Sequence, residues 1–521
     1  MAEPQRKNPI LTVVDSASPI GPAPPPPPGD GGENVDVACS KFPLTDWGNV
    51  QRFIRRRGQD FCYVDTIGWL AWDKQRWNAK NAEAQVNRAV MEVIVAIRGE
   101  GEEIQGTRDD YVIDAKKGVM HSDRLFKWCL ASQSSAHISC VAKHARALLT
   151  AAAEEFDADP MAFNVLNGTL RFAKHESEDY VTLHAHSRDD KITKLAPVEY
   201  DPKATCKIYD AFIARVQPAG DMIRHLHAWG GLSLTGLQIA KLAFWYGTGR
   251  NGKSTLIDAW SFVAGDYAQS VPIESFLDQG RSRRGGEASP DIAALPGIRM
   301  LRTSEPEKGA KLAEALIKML TGGEPMRARH LARDFFEFRP QFKLTMSGNY
   351  RPRIDGTDEG IWKRFSLVPW TIMIPDSEQD PQLASKLRAE ASGILNQLLD
   401  GLRDYLDNGL SPPNAVIEAT AAYREDSDPI QRYINDCLEI FTDPIEADNH
   451  RSGARELYQL YVGWARANGE RVWSAKAFSR GLQDHGIQRL KSSQYFYLGT
   501  QMKRQLSEFE GQEWTKDEHR D

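Results

Sequence analysis

LAFWYGTGRNGKSTLIDAWSFV, residues 242–263, is the stretch that decides the fold. Five apolar residues, Leu242 to Tyr246, run into the loop Gly247 to Thr255, and an apolar helical pattern continues from Leu256 to Val263. The order predicts strand, glycine loop, helix. The loop fits the phosphate-binding pattern G-x-x-x-x-G-K-[ST]: Gly247, Gly249 and Gly252 let backbone N–H groups turn inward around a phosphate. Lys253 is placed to reach the β and γ phosphates and Ser254 to hold Mg²⁺. With Thr248, Arg250, Asn251 and Thr255, these residues form a candidate ATP-binding segment. The loop alone leaves open which nucleotide work it serves.

Outward from the loop, composition sets the frame. At 521 residues the chain has room for about three or four domains. With 26% charged and 41% hydrophobic residues it reads as a soluble globular protein, and no apolar run approaches the roughly 20 residues of a membrane span. The N-terminus lacks a long apolar core, so a cytoplasmic location is the expectation. Six cysteines are scattered without C-x-x-C spacing, which fits reduced thiols. His184/His186 and His225/His227 are two His-x-His pairs, and metal is the weaker reading of both because the second pair lies in a helical pattern. The formal net charge is -6, yet residues 299–364 hold fourteen Lys/Arg against nine Asp/Glu. A basic inner surface in an acidic protein suits a threaded polyanion, with a solvated basic face as the alternative.

Composition shifts divide the chain. Residues 1–44, with GPAPPPPPGDGG, read as a proline-rich tail, a spacer or a proline-motif ligand. Residues 45–215 read as an α+β accessory region: a helix and two strands with Trp69, Trp72 and Trp77 around a turn at Asp73-Lys74, helices through 81–155, and a hairpin FNVLNGTLRF turning at Asn167-Gly168. Residues 216–410 alternate strands and helices, which predicts a doubly wound α/β nucleotide-binding core. Its last helix, Lys386 to Leu410, is closed by Gly409 and Pro412-Pro413, with a linker beyond. Mobility is expected around Arg281 to Glu287. In 430–503, two helices (Ala454 to Ala467, then Ser474 to His485 with Ser474 as N-cap) precede two short strands around Ser492-Ser493. That order suggests a winged helix, either a nucleic-acid reader or a structural lid. Residues 504–521 read as a polar tail.

A nucleotide motor also needs a carboxylate for water, a polar sensor at the γ-phosphate and a positive charge delivered from elsewhere. IRMLRTSE ends in Glu305, the candidate base, with Glu307 as the fallback and a plain surface acid pair as the alternative. FKLTMSGN ends in Asn349, a neutral amide suited to the sensor position, or an ordinary turn asparagine. IWKRF supplies Arg364 as a candidate arginine finger, against a local salt bridge to Asp355, Asp358 or Glu359.

YGTGRNGKST, DIAALPGIRMLRTSEPEKG, IKMLTGGEPMRARHL, FEFRPQFKLTMSGNYRP and GTDEGIWKRFSLVPW together resemble, in order and spacing, the helicase part of the phage and plasmid primase-helicases of superfamily 3, the group that includes poxvirus and satellite-phage replicative helicases. The resemblance is most specific from 240 to 370 and extends more weakly over about 45–500. It implies an AAA+-like P-loop core in a ring, hexameric in the group, with ATP and Mg²⁺ at subunit interfaces and single-stranded or forked DNA in the channel. It also implies a DNA-gripping β-hairpin, here between Met326 and Phe338, with Arg329, His330 and Arg333 as contacts and Arg327 and Lys343 in support. Two departures stand out. Ser304 replaces the aspartate that many such motors place beside the acid, which leaves Mg²⁺ to Ser254 and waters, and Lys363-Arg364 stands where two arginines are common. No priming motif appears, so the expectation is a helicase without primase, served by a separate primase or replication protein. The alternatives are an ATP-dependent origin-binding or loader protein and, last, a packaging motor.

Overall fold

The computed structural model describes residues 34–173, 180–278, 290–303, 305–329, 335–354, 359–470, 472–492 and 494–509. The described chain opens with the short helix Val35–Ser40, in which Cys39 is fully buried, so the folded part begins inside the expected 1–44 tail. Helix Asp46–Arg57, capped by Thr45, leads into an antiparallel meander of β1 (Phe61–Val64), β2 (Gly68–Trp72) and β3 (Trp77–Asn78). The β2–β3 turn is fixed by the Asp73 carboxylate, which accepts from the backbone N–H groups of Gln75 and Arg76. Helix Ala82–Ile104 buries Val86, Ala89, Val90, Val93, Ile94 and Ile97 along one stripe, the helical spacing of the sequence. Beneath it Arg52 and Glu100, both without exposure, pair at 2.8 Å. Arg56 adds a second bond to Glu100 at 3.0 Å, so that buried carboxylate is doubly compensated. A small hairpin of β4 (Val112–Asp114) and β5 (Val119–Met120) and two helices, His121–Ala131 and Ser135–Leu148, complete this unit.

A second meander follows, of β6 (Ala162–Val165), β7 (Gly168–Phe172) and β8 (Val181–His184). Its turn needs Gly168, because a Cβ there would lie 2.4 Å from the His184 carbonyl oxygen. Phe163, Val165, Leu170 and Phe172, with Tyr209, Ile213 and Val216 of helix Lys207–Val216, share one core with Trp245, Trp260 and Trp370. The boundary expected at 215 is therefore not a packing boundary. Residues 162–216 cover one face of the central sheet, and Phe163 meets Tyr267 at 4.7 Å between ring centroids.

The central sheet consists of β9 (Leu242–Tyr246), β10 (Ala268–Val271), β11 (Met300–Thr303), β14 (Lys343–Gly348) and β15 (Phe365–Pro369), all parallel, in the order β10-β11-β14-β9-β15. Strands β9, β14 and β15 are buried along almost their whole length, as in a parallel sheet covered on both faces. The fold is mixed α/β built on a parallel sheet, and β11, β14 and β9 lie side by side with their carboxyl ends at one edge. Between β11 and β14 the chain makes helix Glu314–Thr321 and an antiparallel pair, β12 (Met326–Ala328) with β13 (Phe336–Phe338).

After β15 the expected single helix is two, Leu383–Ala389 and Ala391–Asn408. The break falls at Glu390, whose carboxylate accepts from the backbone N–H groups of Ile208 and Tyr209 at 3.1 and 2.9 Å and caps helix Lys207–Val216. The expected linker is largely the helix Asn414–Ser427, which buries Val416 and Tyr423, and its Thr420 hydroxyl accepts from Leu367 N–H in β15. The C-terminal unit has its own core around Tyr433, Tyr461, Trp464 and Phe478. It comprises helix Pro429–Cys437, β16 (Leu438–Ile440), β17 (Arg451–Gly453), helices Ala454–Ala467 and Ala475–Asp484, then β18 (Arg489–Lys491), β19 (Tyr495–Leu498) and β20 (Thr500–Met502). Ser474 caps the second of those two helices, accepting from Ala477 N–H. The strands form the sheets β17-β19-β18 and β16-β20. Leu506 and Phe509 still pack beside Gly463, so the start of the expected polar tail belongs to this unit. Ser493 and the 281–287 stretch lie outside the described residues.

Candidate functional site

The loop 247–252 joins β9 to helix Lys253–Ala264 at the carboxyl edge of the sheet. Arg250 and Gly252 take left-handed conformations, φ +62° and +82°. Gly252 is also sterically required, since a Cβ would come within 2.7 Å of Val216. Gly247 is pressed against Trp370, where a Cβ would lie 2.1 Å from the carbonyl oxygen. The Asn251 amide donates to Thr248 O at 2.5 Å and ties the loop to itself. Thr248, Gly249 and Arg250 are exposed, Ser254 is exposed in the first helical turn, and Thr255 is half-buried behind it. A concave loop at a helix N-terminus, with a cation at its base, is a donor set for phosphate.

Lys253 is 6% exposed and donates to Gly247 O at 2.6 Å and to Asn349 Oδ1 at 3.4 Å. Asn349 follows β14 and donates from its backbone N–H to Glu305 Oε1 at 2.5 Å and from its side chain to Oε2 at 3.4 Å. Three residues read independently from three strand ends thus form one connected cluster. Burial pushes the Lys253 ammonium down to about 8, and the Glu305 carboxylate opposes that shift. Raising the pH from 7 to 9 therefore discharges the free lysine, and triphosphate affinity is expected to fall about tenfold. Anisotropy of a fluorescent ATP analogue measures this, and Lys253→Arg, which stays charged, flattens the dependence. The exposed Ser254 hydroxyl beside the loop and the exposed Glu305 carboxylate are hard oxygen donors of the kind Mg²⁺ takes. Ser304 lies outside the described residues. Glu307 is also exposed, but no bond joins it to the Lys253–Asn349 cluster among those described.

Arg364 lies at the other edge. It precedes β15, and its carbonyl accepts from Leu242 N–H at the start of β9, a strand length of roughly 16 Å from the loop. Its guanidinium donates to Thr321 Oγ1 at 3.1 Å and Gly360 O at 2.7 Å. Glu359 is engaged by Lys363 at 2.6 Å, and Asp355 and Asp358 lie outside the described residues. Arg364 therefore does not join its own chain's cluster.

β12 and β13 form the expected hairpin in the register Arg327↔Glu337, while Met326 and Ala328 are buried. Arg327 and Arg329 lie over the Phe335 ring at 5.5 and 4.9 Å, and Arg327 is 70% exposed in its side chain. His330 and Arg333 fall outside the described residues. Lys343 requires correction. It has no exposure, and its ammonium donates to the carbonyls of Thr235, Leu237 and Gln341 beneath the sheet, so it cannot contact a nucleic acid. Neighbouring Arg299, also buried, donates to Asp159 O, Ala162 O and Leu234 O. Burial and the Arg299 charge press the Lys343 ammonium well below its usual range. Lys343→Met leaves those carbonyls orphaned and is expected to cost about 3 kcal/mol in denaturant unfolding, with single-strand affinity unchanged.

Two contacts beside the loop gave no sequence signal, the segment at Ile374 and Asp376 and the side chain of Arg351. Arg250 pairs with Asp376 at 2.5 Å and its carbonyl accepts from Ile374 N–H, which brings the segment after β15 over the loop. Arg351, two residues past Asn349, lies 5.3 Å from the ring of Tyr246 and 4.8 Å from that of Tyr423, and pairs with Asp426. The histidine pairs have ordinary roles: His186 bonds Asn164 at 2.9 Å, and burial pushes His225 and His227 down to about 4. No helix among the described residues is long and apolar enough to cross a membrane.

Residues 50–218 match the family model described as D5 N terminal like. The chain is 28% identical over 305 residues to the putative helicase L207/L206 of Acanthamoeba polyphaga mimivirus, a match covering 54% of this chain and 31% of that protein. It is 27% identical over 243 residues to the putative helicase 022R of Frog virus 3, covering 43% and 24%. With the putative helicase V13 of Sputnik virophage it shares 26% over 220 residues, covering 39% and 28%. The chain thus spans about a quarter to a third of these relatives' length. Among solved structures it is similar to the apo structure of the NrS-1 C-terminal region, at 11% identity and a TM-score of 0.39, over 63% of this chain and 82% of that one.

Proposed function

We propose that this chain, a relative of the D5-like primase-helicases, is an ATP-dependent DNA helicase of superfamily 3 that hydrolyses ATP at subunit interfaces of a ring, draws single-stranded DNA through it and unwinds duplex during DNA replication. The observation that carries the reading is the cluster of Lys253, Asn349 and Glu305 at three adjacent strand ends beside a phosphate loop, with Arg364 at the far edge. In this reading the loop N–H groups and Lys253 bind the phosphates. Asn349 orients the attacking water and Glu305 takes its proton. Ser254, with the nearby Glu305 carboxylate, would hold Mg²⁺, which would supply charge neutralisation at the phosphates. Arg364 then serves the neighbour's site, since its own lies about a strand length away.

The hairpin is the proposed grip. Arg327 and Arg329 supply backbone charge and Phe335 an aromatic face, a combination that binds single strands without reading sequence. Arg327→Gln with Arg329→Gln is expected to weaken binding of a 30-mer oligothymidine about tenfold and to remove DNA stimulation of the ATPase. A forked-duplex displacement assay tests the function itself. ATP turnover without strand displacement, alone or with added primase, would favour the origin-binding or loader reading.

A further inference from the structure

The place of Asn349 is set by the chain on either side of it. Before it, β14 ends at Gly348, whose carbonyl accepts from Gly247 N–H at 3.4 Å. After it, residues 351 and 352 are fastened to the helix Asn414–Ser427. The Arg351 guanidinium lies against two rings, 5.3 Å from that of Tyr246 and 4.8 Å from that of Tyr423, and donates to Asp426 Oδ2 at 3.1 Å. The Tyr423 hydroxyl donates to Pro352 O. Tyr423 is a fixed wall: it is buried, and its ring meets those of Trp362 and Phe365 at 5.4 Å each. Tyr246 is the last residue of β9 and runs directly into Gly247. Arg351 thus joins the strand that enters the phosphate loop, the segment that carries Asn349 and a helix outside the sheet. An apolar side chain could fill the space beside the rings, but only a guanidinium lays a flat face on tyrosine while its edge binds a carboxylate. Among the described residues no bond of Arg351 reaches Lys253, Asn349 or Glu305.

The geometry points to Arg351 as the positioning residue for Asn349: by locking residues 349–352 to Tyr246 and to Asp426, it holds the Asn349 amide where the γ-phosphate and the attacking water arrive. The assignment rests on the motor reading and goes beyond it, since it puts the geometry of hydrolysis under a side chain that touches neither nucleotide nor water. A hydrogen bond weakens steeply with angle, so a small tilt of the amide costs rate. It does not cost affinity. The loop keeps its own anchors, the Asn251 amide on Thr248 O and the Trp370 N–H on Tyr246 O, and Lys253 stays at its base.

The test is steady-state ATP turnover of the full chain, with Arg351 altered in the native and in the Asn349→Ala background. In the native background Arg351→Ala is expected to lower kcat about thirtyfold with KM within about twofold. Arg351→Lys, which keeps a cation beside the rings and Asp426 but loses the flat face, is expected to turn over about fivefold faster than the alanine variant. In the Asn349→Ala chain, already slow, Arg351→Ala is expected to cost less than about twofold, because a residue that acts through Asn349 has nothing left to position. A merely structural brace would slow both backgrounds by the same factor. Should Arg351→Ala melt early, Asp426→Asn, altered only at an exposed side chain, is expected to lower kcat about threefold in the native background and to leave the Asn349→Ala rate unchanged. Equal losses in the two backgrounds, a rise in KM that accounts for the loss, or native turnover by Arg351→Ala overturns the assignment and leaves the motor reading standing. The motor reading fails on a different result, near-native turnover by Lys253→Ala, which would take this assignment with it.

Discussion

Lys253→Ala is expected to reduce ATP turnover about 10³-fold, to the level of a no-enzyme control, and to abolish strand displacement with it. The size follows from position. The ammonium is 6% exposed at the base of the loop, within 3.4 Å of Asn349, and burial has already removed much of its water. A phosphate entering the loop thus meets a charge whose attraction is little screened, and alanine leaves only backbone N–H groups to hold it. The fold is not expected to suffer. Alanine is the best helix former, and the change removes a desolvated cation from a helix start, where the dipole disfavours it. A thermal midpoint at or above that of the native chain, together with lost phosphate release, is the combined expectation. Retained turnover at near-native rate would sink the assignment of the loop as the hydrolytic site.

What the sequence made legible is what is local. The strand, loop and helix at 242–264 read correctly because apolar period, glycines and lysine lie within about twenty residues of one another. That Glu305 and Asn349 come together follows for a related reason: Asn349 directly follows β14, Glu305 lies two residues past the end of β11, and adjacent parallel strands align their ends. Lys343 misled because its partners, Thr235 and Leu237, lie more than a hundred residues upstream, and a lysine at a strand start reads as surface until those carbonyls are known. The break at Glu390 was hidden likewise: a glutamate fits a helix, and its role as a cap for Ile208 and Tyr209 exists only in the folded chain. The helix Asn414–Ser427 escaped because it follows two prolines and has a weak apolar stripe. Its place is set by Thr420, bonded to Leu367 of β15, and by Tyr423, whose ring packs on Phe365 of the same strand and whose hydroxyl donates to Pro352 O.

Arg364 decides whether the site is shared between subunits. Arg364→Ala is expected to lower turnover about 10³-fold while leaving nucleotide binding near native, because the charge acts on the transition state rather than on the bound triphosphate. A drop alone would not separate a finger from a local brace, since the guanidinium also holds Thr321 and Gly360. Mixing does. In a ring built from equal amounts of Lys253→Ala and Arg364→Ala chains, each inactive by itself, a loop with an intact lysine meets a neighbour with an intact arginine in about one site of four. Turnover is then expected to recover to about a quarter of the native rate when the chains are exchanged and reassembled with ATP and single-stranded DNA. An arginine acting on its own chain's nucleotide, or serving only as a brace, allows no such recovery, because every subunit carries one defect. The distance already leans one way: a strand length separates Arg364 from its own loop, while Thr321 and Gly360 fix it at the edge where β9 begins. No recovery on mixing would return the ATP site to a single subunit and remove the mechanical basis for a ring.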